Sequence, residues 1–303
     1  MRTSPAALSQ LFRLPNVPTA AADSLAGWLL AGGTLAEPKR WLPLLATSMV
    51  LYASGTVLND VFDVETDRLE RPTRPIPSGR VRLFHATVLG TIGLVLGPLL
   101  AWASGSLDSL VVALALGASI VGYDAGLKAT ILGPEVMGMC RAFNLLLGMT
   151  HTASLGGPVA WFTATAYGLF VAGITWISRS EMETGQSRYL YIGLALQNLA
   201  ILGLLAAALQ AHKFPNPPRD HPIIPLEGLL VLVLVALVVN TAATRAIYQP
   251  VPVLMQKAVK AGILALVWID AGLVAAVRGP QAALPVAAFW VPAFVLGRWL
   301  YST

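Results

Sequence analysis

Long apolar runs alternate with short polar loops along the whole chain. Ten runs come close to the roughly 17–25 residues that a helix needs to cross a bilayer. They are 17–36, 41–61, 83–103, 107–124, 135–155, 159–178, 189–211, 223–244, 258–277 and 284–301. The fourth run is short, and Pro285 and Pro292 break the last one, since proline interrupts a helix. The pattern therefore predicts an all-α fold, a polytopic membrane bundle of nine or ten helices.

The composition indicates a membrane protein and bears on which classes of partner it can bind. Hydrophobic residues make up 56% of the 303 residues and charged residues 12%, about half the charged share of a soluble domain. No linker or composition shift divides the chain, so residues 1–303 are expected to form one domain. The net charge of +5 is assigned to loops that set topology. No nucleic-acid-binding motif accompanies it, so binding to nucleic acid is not expected.

The basic residues predict an orientation, because loops rich in Lys and Arg stay in the cytoplasm. Thirteen of them fall on the N-terminal segment and on the loops after spans two, four, six and eight: Arg2, Arg13, Arg68, Arg71, Arg74, Arg80, Arg82, Lys128, Arg179, Arg188, Arg245, Lys257 and Lys260. The opposite loops hold five: Lys39, Arg40, Lys213, Arg219 and Arg278. We therefore expect a multi-pass protein of an inner or plasma membrane, with the first set of loops in the cytoplasm.

A run of acidic residues follows the second apolar span directly. In a helix, Asn59, Asp60, Asp63 and Asp67 would share one face, being spaced by three, four and seven residues. Carboxylates on one face repel each other unless a cation lies between them, and oxygen ligands without His or Cys favour Mg²⁺. Arginines, which are good phosphate ligands, come next: Arg68, Arg71, Arg74, Arg80 and Arg82. A solvated helix end is the alternative, but the pattern favours a Mg²⁺–diphosphate site at the membrane surface.

These residues carry a family resemblance. Asn59-Asp60-x-x-Asp63-x-x-x-Asp67, followed by Arg71, Arg74-Pro75 and Ser78-Gly79, resembles the first aspartate-rich motif of the UbiA superfamily of intramembrane prenyltransferases. Three further segments are similar to motifs of that family: Arg13-Leu14-Pro15-Asn16, Tyr123 with Lys128, and Arg141-x-x-Asn144. The resemblance covers residues 11–190 by motif and the remainder by hydropathy.

The resemblance implies helices that surround one large cavity and a Mg²⁺-dependent reaction there. A prenyl group would pass from a prenyl diphosphate to an aromatic or other lipophilic acceptor. The implied catalytic residues are Asp60, Asp63, Asp67 and Lys128. The implied substrate-binding residues are Asn16, Asn59, Arg71, Arg74, Tyr123, Arg141, Asn144 and Glu181. The implied metal ligands are Asp60, Asp63, Asp67, Glu181 and Glu183.

The chain departs from the family after span six, where a second aspartate-rich motif is usual. Here residues 178–186 contain Glu181 and Glu183 but no aspartate. Two residues apart, they lie about 200° apart around a regular helix, so only one can face the cavity, and Glu181 is the expected ligand. The alternative is a protein of this family with altered or lost catalysis that binds or helps export a lipophilic secondary metabolite. The same stretch is similar to the EboC-like branch of the family, which is tied to such export.

Several other residues have two possible roles. Lys128 is either a diphosphate ligand or a topogenic charge, and Asp124 could pair with it four residues away in a helix. Arg141 lies inside an apolar span, where a charge indicates a role in a cavity. Asp270 is either a polar group in a cavity or a partner for a neighbouring helix. Gly90, Gly93 and Gly97 are expected to allow close packing of span three.

Overall fold

The computed structural model describes residues 5–151, 157–179, 187–215 and 224–299, which form thirteen α-helices. The helices are α1 Pro5–Leu11, α2 Val17–Leu30, α3 Pro38–Phe62, α4 Val64–Glu70, α5 Leu83–Ala103, α6 Leu107–Asp124, α7 Gly133–Gly148, α8 Gly157–Arg179, α9 Ser187–Leu209, α10 Leu226–Tyr248, α11 Pro252–Arg278, α12 Pro280–Ala287 and α13 Trp290–Trp299. The prediction of an all-α membrane bundle is confirmed.

Eight stretches of these described residues are long and apolar enough to cross a membrane. They comprise α3, α5, α6, α8, α9, α10, α11 and the pair α12–α13 taken together. The two remaining predicted spans correspond to α2 and α7, which have 14 and 16 residues. Both shorter helices are largely buried within the bundle, so their neighbours shield them from lipid.

The bundle is organised around the four helices α2, α7, α8 and α11, each of which packs against two others of this set. Glycines bring their backbones together. A Cβ atom on Gly148 would lie 2.0 Å from the backbone oxygen of Ser24, and one on Gly138 would lie 2.4 Å from that of Gly168. No side chain larger than hydrogen fits at either position. The crossings α2–α7 and α7–α8 are therefore close backbone contacts, typical of membrane helices.

The glycines of α5 have the role that was expected for them. A Cβ on Gly93 would lie 1.8 Å from Ser54 Oγ, and one on Gly97 would lie 2.5 Å from the Leu51 side chain. Helix α5 thus packs tightly on α3 through this stripe. The opposite face of α5 exposes large apolar residues such as Ile92, Val95 and Leu99, as suits contact with lipid.

The last predicted span is broken as expected. Helix α12 ends at Ala287 and α13 begins at Trp290, so the break lies between Pro285 and Pro292. The first predicted span, 17–36, ends earlier than expected, at Leu30, and the fifth ends at Gly148 rather than at residue 155. Glu181 and Glu183 lie outside the described residues.

The amino-terminal helix α1 covers the loop that follows α4. Ala7 and Leu11 are fully buried in a small apolar cluster with Val57, Val64 and Ile76. Its Gln10 side chain accepts a hydrogen bond from Arg80 Nη2 at 2.9 Å. The loop that carries the arginines is therefore held between α1 and the ends of α3 and α5.

Candidate active site

The acidic residues lie at a break between two helices. Helix α3 ends at Phe62 and α4 begins at Val64, with Asp63 between them. The four polar residues therefore do not lie on one uninterrupted helix, although the hydrogen bonds from Asp63 N–H to Asn59 and from Asp67 N–H to Asp63 carry the four-residue spacing across the break. Asp60 and Asp67 are almost fully buried, whereas the Asp63 side chain is 31% exposed. The break turns Asp63 towards a different partner.

Arg74 joins Asp60 to Asp67. Its Nη1 atom lies 2.7 Å from Asp67 Oδ2 and 3.3 Å from Asp60 Oδ1, and its side chain is buried. Two carboxyls that contact the same guanidinium nitrogen lie close to each other across the helix break. The Arg74 loop is itself fixed locally, because Ser78 Oγ donates to the Arg74 carbonyl at 2.6 Å. The predicted arginine of the motif is thus part of the site.

Arg13 also reaches the aspartates, from the turn between α1 and α2. Its Nη2 atom lies 3.4 Å from Asp60 Oδ1 and 3.3 Å from Asn59 Oδ1. Its backbone has φ 46° and ψ 49°, the left-handed conformation that a non-glycine residue rarely adopts. The surrounding contacts hold this strained conformation, and such strain is common at functional sites. Sequence reasoning quoted Arg13 within a motif but did not assign it to the site.

The loop after α6 closes the site from the other side. Lys128 Nζ lies 2.6 Å from Asp63 Oδ1, and Asn59 Nδ2 donates to Asp124 Oδ1 at 2.9 Å. The expected pair between Asp124 and Lys128 is not formed. Helix α6 ends at Asp124 and Gly126 has φ 155°, so the four-residue helical spacing is lost before Lys128. Asp124 is instead a member of the site through Asn59, whereas the sequence indicated it only as a possible partner of Lys128.

The remaining predicted residues take different places. Tyr123 is half-buried and precedes Asp124 at the end of α6. Arg71 is exposed beside the site, at the end of α4. Asn16 is half-buried in the turn that carries Arg13, and its carbonyl accepts a hydrogen bond from Thr19 Oγ1 at 2.7 Å. We call the contacting residues Arg13, Asn59, Asp60, Asp63, Asp67, Arg74, Asp124 and Lys128 the aspartate cluster.

The oxygen atoms of the aspartate cluster suit Mg²⁺ better than a metal that needs a full protein cage. No group of three or more His, Cys, Asp or Glu side chains among the described residues is arranged to hold a metal by itself. Mg²⁺ usually binds one or two carboxylates and takes its other ligands from water and substrate phosphates. Asp63 is partly exposed and lies one helical turn before Asp67, whose N–H donates to the Asp63 carbonyl at 2.8 Å, so this chemistry fits the residues present.

Arg141 and Asn144 are not brought to the aspartate cluster. Arg141 Nη1 lies 2.7 Å from Asp23 Oδ2, and Asn144 Nδ2 donates to the same oxygen at 2.9 Å. The Arg141 guanidinium lies over the ring of Tyr52, 5.1 Å from its centroid. Tyr52 is two helical turns before Asn59 on α3, about 10 Å deeper in the bundle. Their predicted role in substrate binding stays a prediction.

Asp270 belongs to this deeper group and contacts neighbouring helices. Tyr167 Oη lies 2.6 Å from Asp23 Oδ1 and 3.3 Å from Asp270 Oδ2. These contacts join α2, α8 and α11. Of the two alternatives left open by the sequence, the partner for a neighbouring helix is therefore the one observed. Asp23 was not among the residues that the sequence pointed to.

Comparison with known proteins agrees with this architecture. Two digeranylgeranylglyceryl phosphate synthases are similar to parts of the chain. That of Ignicoccus hospitalis is 40% identical over 116 residues, 38% of each chain, and that of Methanoculleus marisnigri is 31% identical over 180 residues, 59% of this chain and 61% of the relative. The matched segments thus span less than two thirds of either relative.

Solved structures share the fold over most of the chain. An apo structure of a UbiA homolog from Aeropyrum pernix K1 superposes with a TM-score of 0.70 at 20% identity, covering 86% of this chain and 98% of that one. A UbiA homolog from Archaeoglobus fulgidus bound to GPP and Mg²⁺ gives a TM-score of 0.61 at 13% identity, covering 86% and 99%. Residues 20–249 match the UbiA prenyltransferase family, a range that includes the aspartate cluster except Arg13. The chain is therefore a multi-pass membrane protein that belongs to the UbiA prenyltransferase family.

Proposed function

We propose that this protein is a Mg²⁺-dependent prenyltransferase that moves a prenyl group from a prenyl diphosphate to an aromatic or other lipophilic acceptor. The observation that carries the proposal is the aspartate cluster, in which half-exposed Asp63, Lys128 and Arg13 surround a pair of nearly buried carboxyls. Acidic and basic side chains at one place provide both groups that a metal diphosphate needs: carboxylates for the metal and cations for the phosphate oxygens.

The two halves of the cluster have different tasks in this proposal. Asp60 and Asp67 are fixed by buried Arg74, which keeps their oxygens in place without substrate. Asp63 and Lys128 form a less buried pair, with side chains 31% and 19% exposed although Lys128 Nζ is itself buried, and in this proposal each exchanges the other for the metal or a phosphate oxygen. Arg71, exposed at the rim, adds a second phosphate ligand. Asp60, Asp63 and Asp67 would hold the metal.

The chemistry required of the site is the departure of diphosphate from an allylic carbon. Bound Mg²⁺ supplies positive charge that stabilises the leaving diphosphate. Lys128 and Arg71 add preorganised positive charge at the same oxygens, which is the main way in which a protein can lower such a barrier. The apolar side chains of the bundle keep water from the electron-poor carbon until the acceptor reacts.

The relatives support this substrate class. The Archaeoglobus fulgidus homolog is bound to GPP and Mg²⁺, and the partly matching relatives are digeranylgeranylglyceryl phosphate synthases. The excess of basic residues on the loops that carry the cluster supports a cytoplasmic active site in an inner or plasma membrane.

Purified protein incubated with a panel of prenyl diphosphates tests the proposal. We expect pyrophosphate release that requires Mg²⁺ and is lost in Asp63→Asn. The matched control is Asp108→Asn, since Asp108 is an exposed acidic residue at the far end of α6. This variant should keep the activity of the wild-type protein. Binding of a prenyl diphosphate without release from any donor would refute the enzyme and favour the non-catalytic alternative.

A further inference from the structure

A second polar group lies enclosed among the four inner helices, away from the aspartate cluster. It consists of Asp23 from α2, Arg141 and Asn144 from α7, Tyr167 from α8 and Asp270 from α11, and we call it the inner polar cluster. Asp23, Tyr167 and Asp270 have no exposed surface at all. Ionisable residues at such depth in a membrane bundle are rare and indicate a function.

The charges of the inner polar cluster do not balance if every group is ionised. Arg141 compensates one carboxylate, and it lies on Asp23 at 2.7 Å. Asp270 then remains as an additional negative charge in an interior of low dielectric, where an isolated carboxylate is strongly destabilising. Asp23 and Asp270 also lie on the same Tyr167 hydroxyl, at 2.6 and 3.3 Å, so the two carboxyls are close neighbours, and like charges so close disfavour ionisation of both. Something must therefore neutralise one of them.

Hydrogen bonding shows which carboxyl is the neutral one. Asp23 accepts hydrogen bonds from Arg141, Asn144 and Tyr167, the pattern expected of a carboxylate. The single hydroxyl hydrogen of Tyr167 goes to Asp23, since that distance is 2.6 Å against 3.3 Å to Asp270. Asp270 Oδ1 is buried and has no hydrogen-bond partner among the described residues. An ionised Asp270 would lack donors, whereas a protonated one can itself donate to Asp23.

We propose that Asp23 and Asp270 form an intramembrane acid pair that binds one proton, carried by Asp270 and hydrogen-bonded to Asp23. The pair is a site for a proton rather than for the diphosphate metal, because Arg141, which contacts Asp23, lies over the ring of Tyr52, about two helical turns before Asn59 on α3. The charged and titratable groups that face Asp270 are Asp23 from α2, Arg141 from α7 and Tyr167 from α8. The proposal does not depend on the prenyl-transfer activity.

Binding of this proton ties three helices together. With the proton in place, Asp270, Asp23 and Arg141 sum to no net charge, and α2, α8 and α11 share one hydrogen-bonded contact. Release of the proton leaves two negative charges against one guanidinium at that contact. The folded protein should therefore lose stability as pH rises.

Infrared spectroscopy of the full-length protein in nanodiscs tests protonation directly. At neutral pH we expect a carbonyl band of a protonated carboxylic acid that is absent in Asp270→Asn. Asp63→Asn serves as the matched control and should keep the band, because Asp63 is half-exposed and paired with Lys128. A band that persists unchanged in Asp270→Asn overturns the assignment.

Thermal unfolding in detergent gives an independent readout. The wild-type Tm should fall from mildly acidic to alkaline pH, and Asp270→Asn should show a smaller fall, since its amide cannot lose a proton. Asp23→Asn should have a lower Tm at every pH, because Arg141 then loses its counter-ion. Equal pH slopes for wild type and Asp270→Asn contradict the proposal. A Tm increase on adding Na⁺ at constant ionic strength, seen in wild type and not in Asp270→Asn, would assign the site to a cation instead.

Discussion

Lys128 Nζ lies 2.6 Å from Asp63 Oδ1, so the loop after α6 is joined to the junction between α3 and α4. The two residues are 65 positions apart and belong to different helical hairpins. Their contact completes the aspartate cluster on the side away from Arg74. In the proposed reaction both residues meet the diphosphate, one through the metal and the other directly.

Replacing Lys128 should lower turnover much more than it lowers stability. We expect Lys128→Ala to reduce kcat/KM by on the order of 10²-fold, since one preorganised charge at a leaving group is removed. Steady-state pyrophosphate release measures the change, with Lys213→Ala, an exposed lysine on the opposite loops, as the control. Lys128→Arg should recover part of the loss because the charge remains. Full activity in Lys128→Ala would show that this lysine is a topogenic charge only.

Substitutions of Arg74 and Arg71 should have different effects, the first on stability and the second on substrate binding. Arg74→Ala leaves Asp60 and Asp67 buried without their shared cation, which should cost about 3–5 kcal/mol in the free energy of unfolding. Arg71→Ala removes an exposed side chain and should leave stability within about 0.5 kcal/mol. Urea unfolding measures both. Arg71→Ala should still raise the KM for the prenyl diphosphate, and an unchanged KM would remove Arg71 from the binding site.

The crossing of α2 and α7 should be sensitive to a single methyl group. Gly148→Ala places a Cβ 2.0 Å from the backbone oxygen of Ser24, and backbone cannot rotate away as a side chain could. We expect a loss of about 1–3 kcal/mol from the forced separation of the helices. Gly117→Ala is the matched control, since its Cβ would approach Leu94 no closer than 4.0 Å. The measurement is the difference in the free energy of unfolding between the two variants. Equal losses in Gly148→Ala and Gly117→Ala would contradict the close crossing of α2 and α7.

Glu181 and Glu183 lie outside the described residues, and the prediction for them rests on the sequence. Prenyl transfer should fall steeply in Glu181→Gln and less in Glu183→Gln, because residues two apart cannot both face one cavity in a regular helix. Parallel assays of the two variants at several Mg²⁺ concentrations make the comparison. Should both variants keep full Mg²⁺-dependent activity, residues 178–186 contribute no ligand to the second metal.

The sequence predicted the architecture and most of the aspartate cluster because those signals are local. Apolar run length locates a span, and Asn59, Asp60, Asp63 and Asp67 follow one another within nine residues. Local reasoning was wrong where backbone geometry changes between neighbours. The end of α6 at Asp124 and the positive φ of Gly126 separate Asp124 from Lys128, which a continuous helix would have kept in register.

Contacts between distant parts of the chain could not be predicted in this way. Arg141 was expected to have a role in a cavity, and its observed partner Asp23 is 118 residues away. Neither segment contains a sequence feature that identifies the other segment as its partner. The role of Asp124 was missed for the same reason, since its partner Asn59 lies on another helix.

The shortness of α2 and α7 bears on how the protein is made. At 1.5 Å per residue, helices of 14 and 16 residues extend about 21 and 24 Å, less than the ~30 Å of the hydrocarbon core. They also carry Asp23 and Arg141, which makes them poor candidates for independent release from the translocon into lipid. Their charges are matched only when they meet each other, and Asp270 joins them only after α11 has been synthesised. The bundle centre is therefore completed only when nearly the whole chain has been made, and we expect α2 to stay near the insertion machinery until α7 pairs with it.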